Sequence, residues 1–310
     1  METATPGSSR ASTLLAFATL YVIWGSTYLA IRIAVASWPP LVLAAVRFTL
    51  AGGGLYVWLR ARGAPAPTRR QWGAALIAGT LLLGGGNGLV CWAEQWVPSG
   101  ETALIVASVP LWMTALPWLV RRAPMPNPLA LAGVALGLAG VAVLVGGAAR
   151  GHAGAAGGAL LAGRIALLVA SLSWSVGSLL ARHLPLPRQP AMVSAAEMLA
   201  AGPVLAAGAL LKGEWSHFHP GAVTGGGWTA LAYLIVFGSL AGFGSYVFLL
   251  GRTSAARVST YAFVNPLVAV MLGTLLAHEP LAGRTLGAAA LIVCAVAAVI
   301  WGTSAARARH

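Results

Sequence analysis

Two ionisable residues, Arg47 and Glu197, sit inside long apolar runs of this sequence. A charge in such a setting is costly and is kept for pairing, proton relay or recognition. Arg47 lies about eight residues in from one end of its run and Glu197 about seven in from an end of its own, at a rise of about 1.5 Å per residue. The chemistry open to them is a salt bridge, an Arg satisfied by backbone carbonyls, or a Glu that carries a coupling proton. A direct bridge must close a depth difference of roughly 8 Å, which long side chains narrow by snorkelling.

Around these charges stand polar and aromatic residues with the depth to line a path: Trp24, Ser26, Tyr28, Asn87, Trp174, Tyr261 and Asn265. Trp24 falls roughly 16 Å into its run, near the middle of a ~30 Å hydrocarbon core rather than in the interfacial aromatic belt. Small polar residues equally serve helix packing. Pro110 and Pro266 fall at similar depth. Each deprives a helix of one backbone donor and clashes with the carbonyl four residues back, at Val106 and Ala262, so both are expected to kink gating helices. Glu94 and Glu101 are expected to be solvated carboxylates near an interface. Enzyme chemistry finds no purchase: Asp is absent and no histidine falls in an apolar run, so no nucleophile and base pair is available. His217-Phe218-His219 is too sparse for a metal site, and no glycine loop of nucleotide-binding type occurs, so neither metal nor cofactor is implied.

The elements that must carry these residues are membrane spans. Of 310 residues, 58% are hydrophobic and only 8% charged, too little charge to cover a soluble surface. Apolar cores occur at 13–33, 39–59, 72–92, 102–120, 129–148, 163–182, 190–211, 227–250, 256–277 and 284–302, separated by Pro, Gly and Arg clusters. The fold class is therefore an all-α integral membrane protein of ten transmembrane helices. With the N-terminus in the cytoplasm, thirteen of the 19 basic residues fall in inner connections and five in outer ones, Arg47 being the intramembrane exception. That bias places both termini inside. The +13 net charge is spread in short loop pairs and forms no nucleic-acid face. Cys91 and Cys294 are expected to be buried small hydrophobes.

The chain also repeats. At an offset of 150, Trp24 meets Trp174, Arg32 meets Arg182 and Pro40 meets Pro190; at 156, Trp72 meets Trp228, Gly86 meets Gly242 and Pro110 meets Pro266. The expected division is a tail at 1–12, a first five-helix repeat at 13–148, a Gly/Ala-rich linker at 149–162, a second repeat at 163–302 and a basic tail at 303–310. Five helices per copy invert the second relative to the first, an arrangement typical of secondary transporters with a site near the midplane.

Tyr21-Val22-Ile23-Trp24-Gly25-Ser26-Thr27-Tyr28, Val46-Arg47-Phe48, Gly86-Asn87-Gly88, Val97-Pro98-Ser99-Gly100, Val109-Pro110-Leu111 and Tyr261-Ala262-Phe263-Val264-Asn265-Pro266 together resemble the EamA domain. The likeness covers nearly the whole chain and is closest to the YedA-type members of the drug/metabolite transporter superfamily. It implies the EamA ten-helix fold, a bacterial inner membrane, and export of amino acids or other small organic metabolites. The sequence departs from the family where Arg121-Arg122-Ala123-Pro124 lacks a common Gly-Glu, whereas the second copy keeps Glu279-Pro280. The expected partners are the lipid bilayer, a small-molecule substrate and protons as a candidate coupling ion, in a monomer or homodimer. A solute channel, a membrane sensor and, less favoured, an intramembrane enzyme are the competing functions.

Overall fold

The computed structural model describes residues 6–121, 125–146, 155–250, 252, 253, 258, 261–279 and 283–307. Among these the regular structure is entirely helical: α1 (Pro6–Val35), α2 (Pro40–Ala61), α3 (Arg69–Ala93), α4 (Ser99–Leu119), α5 (Pro128–Gly146), α6 (Ala155–Ala181), α7 (Pro190–Leu211), α8 (Gly225–Leu249), α9 (Tyr261–Ala277) and α10 (Gly283–Arg307). Eight contain stretches long and apolar enough to cross a membrane, and the shorter apolar helices fall in α5 and α9.

Local chemistry sets the helix starts. Prolines at the first positions of α2 and α7 lose only a donor that would be orphaned anyway. Thr68 and Gln71 form a reciprocal capping box at α3, and Thr224 caps α8 by accepting from Gly227 N at 3.1 Å. Two more starts are capped from afar. Glu214 accepts from Leu41 N and Val42 N at 2.8 and 3.2 Å. Glu279 accepts from Ser99 N, Ser99 Oγ and Gly100 N at 2.9–3.2 Å. A carboxylate at a helix N-terminus satisfies orphan donors and meets the positive end of the dipole.

Among the most extensive helix pairings are α5 with α10, α2 with α7 and α3 with α6, and in the first two small residues set the spacing. Close backbone approach makes them possible. A Cβ at Gly52 would stand 2.8 Å from Leu199 N, and one at Gly133 2.7 Å from Ala295 O. In lipid such small-residue contacts replace the hydrophobic drive that water supplies elsewhere.

Two expectations about elements change. Residues 155–162, expected as linker, form the opening turns of α6, because Ala and Leu among the glycines sustain a helix; residues 149–154 lie outside the described part, as do residues 308–310 of the basic tail. Cys294 is exposed while Cys91 is buried. The α10 face that meets α5 carries Ala288, Ile292, Ala295 and Val299, which turns Cys294 away.

Candidate functional site: two cavities divided by an aromatic layer

Each of α3 and α8 changes its winding in mid-course. A π-helical segment occupies Thr80–Gly88 in α3 and Leu234–Phe243 in α8. Such segments shift the hydrogen-bond register and often accompany function. Both are glycine-rich and bring backbone against aromatic rings. A Cβ at Gly86 would stand 2.9 Å from the Trp174 ring, and one at Gly242 2.5 Å from Trp24 Nε1. Trp24 Nε1 donates to Gly238 O at 3.3 Å.

The rings so held form one cluster. Trp24 meets Trp174 edge to face, with centroids 5.7 Å apart and planes at 87°. It meets Tyr261 at 5.2 Å and 86°, and Tyr246 at 5.2 Å and 32°. These separations are those of favourable aromatic pairs. On one side of the cluster lies a narrow cavity bounded by Trp24, Tyr28, Arg47, Asn87, Trp174 and Tyr261 among others. On the other lies a wider cavity with Arg182, Glu197, Tyr246 and Tyr261 in its wall. Val109, Phe243 and Tyr261 border both. The second cavity is bordered by the end of α6 and the start of α7.

The two intramembrane charges therefore face different cavities and do not pair. Arg47 is 4% exposed, donates from Nε to Ser239 Oγ at 2.9 Å, and lies with its Cζ 4.8 Å from the Phe48 ring centroid. Its Nη1 is enclosed and without a hydrogen-bond partner. Glu197, 2% exposed, makes no hydrogen bond or ion pair with a described residue. The depth difference read from the sequence is the physical reason that a bridge does not form.

Of the other residues singled out in the sequence, Ser26 and Asn265 turn away from both cavities. Ser26 Oγ donates to Ile23 O at 2.8 Å and lies 2.6 Å from Tyr233 Oη, tying α1 to α8. Asn265, with its amide nitrogen toward the carbonyls, donates to Tyr261 O and Tyr21 O at 3.2 and 3.1 Å, tying α9 to α1. The prolines act unequally. At Pro110 the helix breaks over Ala107–Ser108 and restarts at Val109, whereas α9 continues through Pro266. Ser175 Oγ on α6 donates into the break, 2.7 Å from Ser171 O and 3.3 Å from Val109 O. Ser108 Oγ, beside Pro110, is buried without a partner.

Glu94 and Glu101 overturn the solvated expectation. Glu101 is 8% exposed and ion-paired with buried Arg164, whose Nη2 donates to Oε2 at 3.0 Å. Glu94 is fully buried and neither carboxyl oxygen has a donor, while Arg32 donates to its backbone carbonyl. The connection from α3 to α4 is too short to lift these carboxylates into water. Burial, followed by the neighbouring Glu279 charge, pushes the Glu94 carboxyl well above the usual carboxylate range, against the pull of Arg32 and Arg47.

Together, the apolar helices define a multi-pass membrane protein with cavities on either side of an aromatic layer. The EamA-like transporter family matches twice, over residues 11–146 and 161–301, and the chain belongs to that family. It is 41% identical over 284 residues to the uncharacterized inner membrane transporter YedA of Escherichia coli (strain K12), covering 91% of this chain and 89% of that one. It is 26% identical to a "Probable amino-acid metabolite efflux pump" of Salmonella typhimurium (strain LT2), covering 91% and 92%. A solved crystal structure shares the fold at a TM-score of 0.64 and 23% identity, over 94% of this chain and 97% of its own.

Proposed function

We propose that this chain is a secondary active exporter of small organic metabolites, amino acids or drug-like solutes. It resides in a bacterial cytoplasmic membrane with ten spans arranged as two inverted five-helix repeats, and works by alternating access. The observation that carries this reading is the pair of cavities in series, divided by the Trp24, Trp174, Tyr246 and Tyr261 rings. A continuous pore would need no such layer, whereas an alternating-access carrier must keep one barrier closed at a time.

Pseudo-symmetry supports the inverted repeat. Gly86 packs on Trp174 and Gly242 on Trp24, so each copy's glycine meets the other copy's tryptophan at the offsets of 156 and 150. The two π-helical segments occupy near-equivalent stretches. The partners in two extensive helix pairs, α2 with α7 and α5 with α10, are also related by the repeat. A proton is the coupling ion best supported, because Glu197 stands unpartnered in a cavity wall.

Purified protein in proteoliposomes, challenged with a panel of amino acids and related metabolites, tests the reading. Saturable flux responsive to a pH gradient is expected, and Glu197→Gln should remove the pH-gradient response while leaving the fold intact. Absence of saturable flux for every class in folded protein overturns the exporter reading. An unchanged gradient response in the variant overturns the coupling role alone.

A further inference from the structure

The cavity beside the aromatic layer holds one strong cation and no carboxylate in its wall. Its other ionisable lining residues are Tyr28 and Tyr261. We propose that Arg47 is the recognition point for a carboxylate, so that this cavity selects organic anions with an aromatic or apolar body over cations. The proposal rests on the exporter reading insofar as the cavity is taken as that exporter's substrate site.

Four observations carry it. First, Arg47 is almost fully enclosed, and its guanidinium makes a single hydrogen bond with a described residue, from Nε to Ser239 Oγ. That bond fixes the plane of the group and leaves both Nη nitrogens uncommitted, the fork that matches a carboxylate. Second, Nη1 lies buried with no partner. A guanidinium does not shed its proton to escape such a setting, so its charge calls for a counter-charge. Third, no acid among the described residues forms an ion pair with it, although the field of Glu94 reaches it. Glu197 faces the other cavity, and Glu94 makes no hydrogen bond to it and lies outside the lining. Fourth, space is reserved for the group: a Cβ at Gly238 would stand 2.9 Å from Nη2.

The rest of the wall describes the remainder of the ligand. Trp24, Tyr28, Phe48, Trp174 and Tyr261 present ring surface, and Asn87 offers an amide.

Three probes with one ring and three charges test the inference: phenylacetate, phenylacetamide and phenethylamine. Calorimetric binding to the detergent-purified full chain near neutral pH is expected to rank acid above amide by roughly ten-fold or more, with the amine weakest. Arg47→Gln should bring acid and amide to parity, and Arg47→Lys should retain a reduced preference. Ser239→Ala, which frees the guanidinium plane, should weaken acid binding and spare the amide. It also serves as the readout if Arg47→Gln fails to fold. Equal binding of acid and amide, preference for the amine, no binding of any probe, or an undiminished acid preference in Arg47→Gln overturns the inference. Proteoliposome flux separates it from the exporter reading. Acid-selective binding without flux of any solute class sinks the exporter and leaves the anion site, whereas equal flux of all three probes does the reverse.

Discussion

At position 94 a carboxyl group has neither water nor a donor, and this has a consequence for stability. Its ordinary value, 4.5, applies in the unfolded chain, and in the folded protein burial and Glu279 raise it well above that. As pH climbs above about 4.5, the unfolded chain releases the proton while the folded protein retains it. The folded state then binds more protons, so stability falls as pH rises until the folded group itself ionises. Thermal unfolding in detergent between about pH 5 and 8 should show this decline, and Glu94→Gln should flatten it. An equally steep decline in the variant would show that Glu94 is not the group responsible. The sequence reading put this carboxylate in water, whereas the structure buries it. Nothing in Trp92-Ala93-Glu94-Gln95 reveals that α3 and α4 close over the side chain.

At the scale of the helix, the contacts between glycine and tryptophan decide how the π-helical segments of α3 and α8 seat the aromatic layer. A methyl group at Gly242 would stand 2.5 Å from Trp24 Nε1, and one at Gly86 2.9 Å from the Trp174 ring. Overpacking of this kind costs about 1–3 kcal/mol, so Gly242→Ala and Gly86→Ala should lower the thermal midpoint and disturb flux together. Gly54→Ala, in a helix with nothing within 4 Å of the added carbon, should be neutral or stabilising. Equal effects at all three positions would refute the seating role. These helices also show which part of the site was legible. Counting residues from the ends of each apolar run gave depth, which put Trp24 and Trp174 near mid-run, and both line the first cavity. It did not give rotation about the helix axis. In a helix apolar on every side, no stripe marks the inward face, and so Ser26 and Asn265, at a similar level, proved to face neighbouring helices. The glycine runs Gly84-Gly85-Gly86 and Gly238 to Gly244 were the available sign of close backbone approach.

For the molecule as a whole, orientation follows from charge. Most basic residues fall on one set of connections, and the second cavity, with Glu197 in its wall, is bordered by the α6–α7 connection of that set. The opposite face carries Glu94, Glu101, Glu214 and Glu279, but as buried groups, ion-pair partners and helix caps, which carry little weight in the positive-inside balance. Both termini and the Glu197 cavity are therefore expected on the cytoplasmic side, and an exporter so oriented would take its cargo from there. Ala66 and Ala222 are exposed, lie in connections at opposite faces, and accept a small thiol without a clash of size. In a background with Cys91 and Cys294 replaced by serine, a membrane-impermeant maleimide applied to intact cells should label Ala222→Cys. It should reach Ala66→Cys only after the membrane is opened. The reverse pattern would invert the molecule and put the Glu197 cavity outside. Labelling of both sites in intact cells would mean that the chain inserts in two orientations, as a weak charge bias between duplicated halves permits.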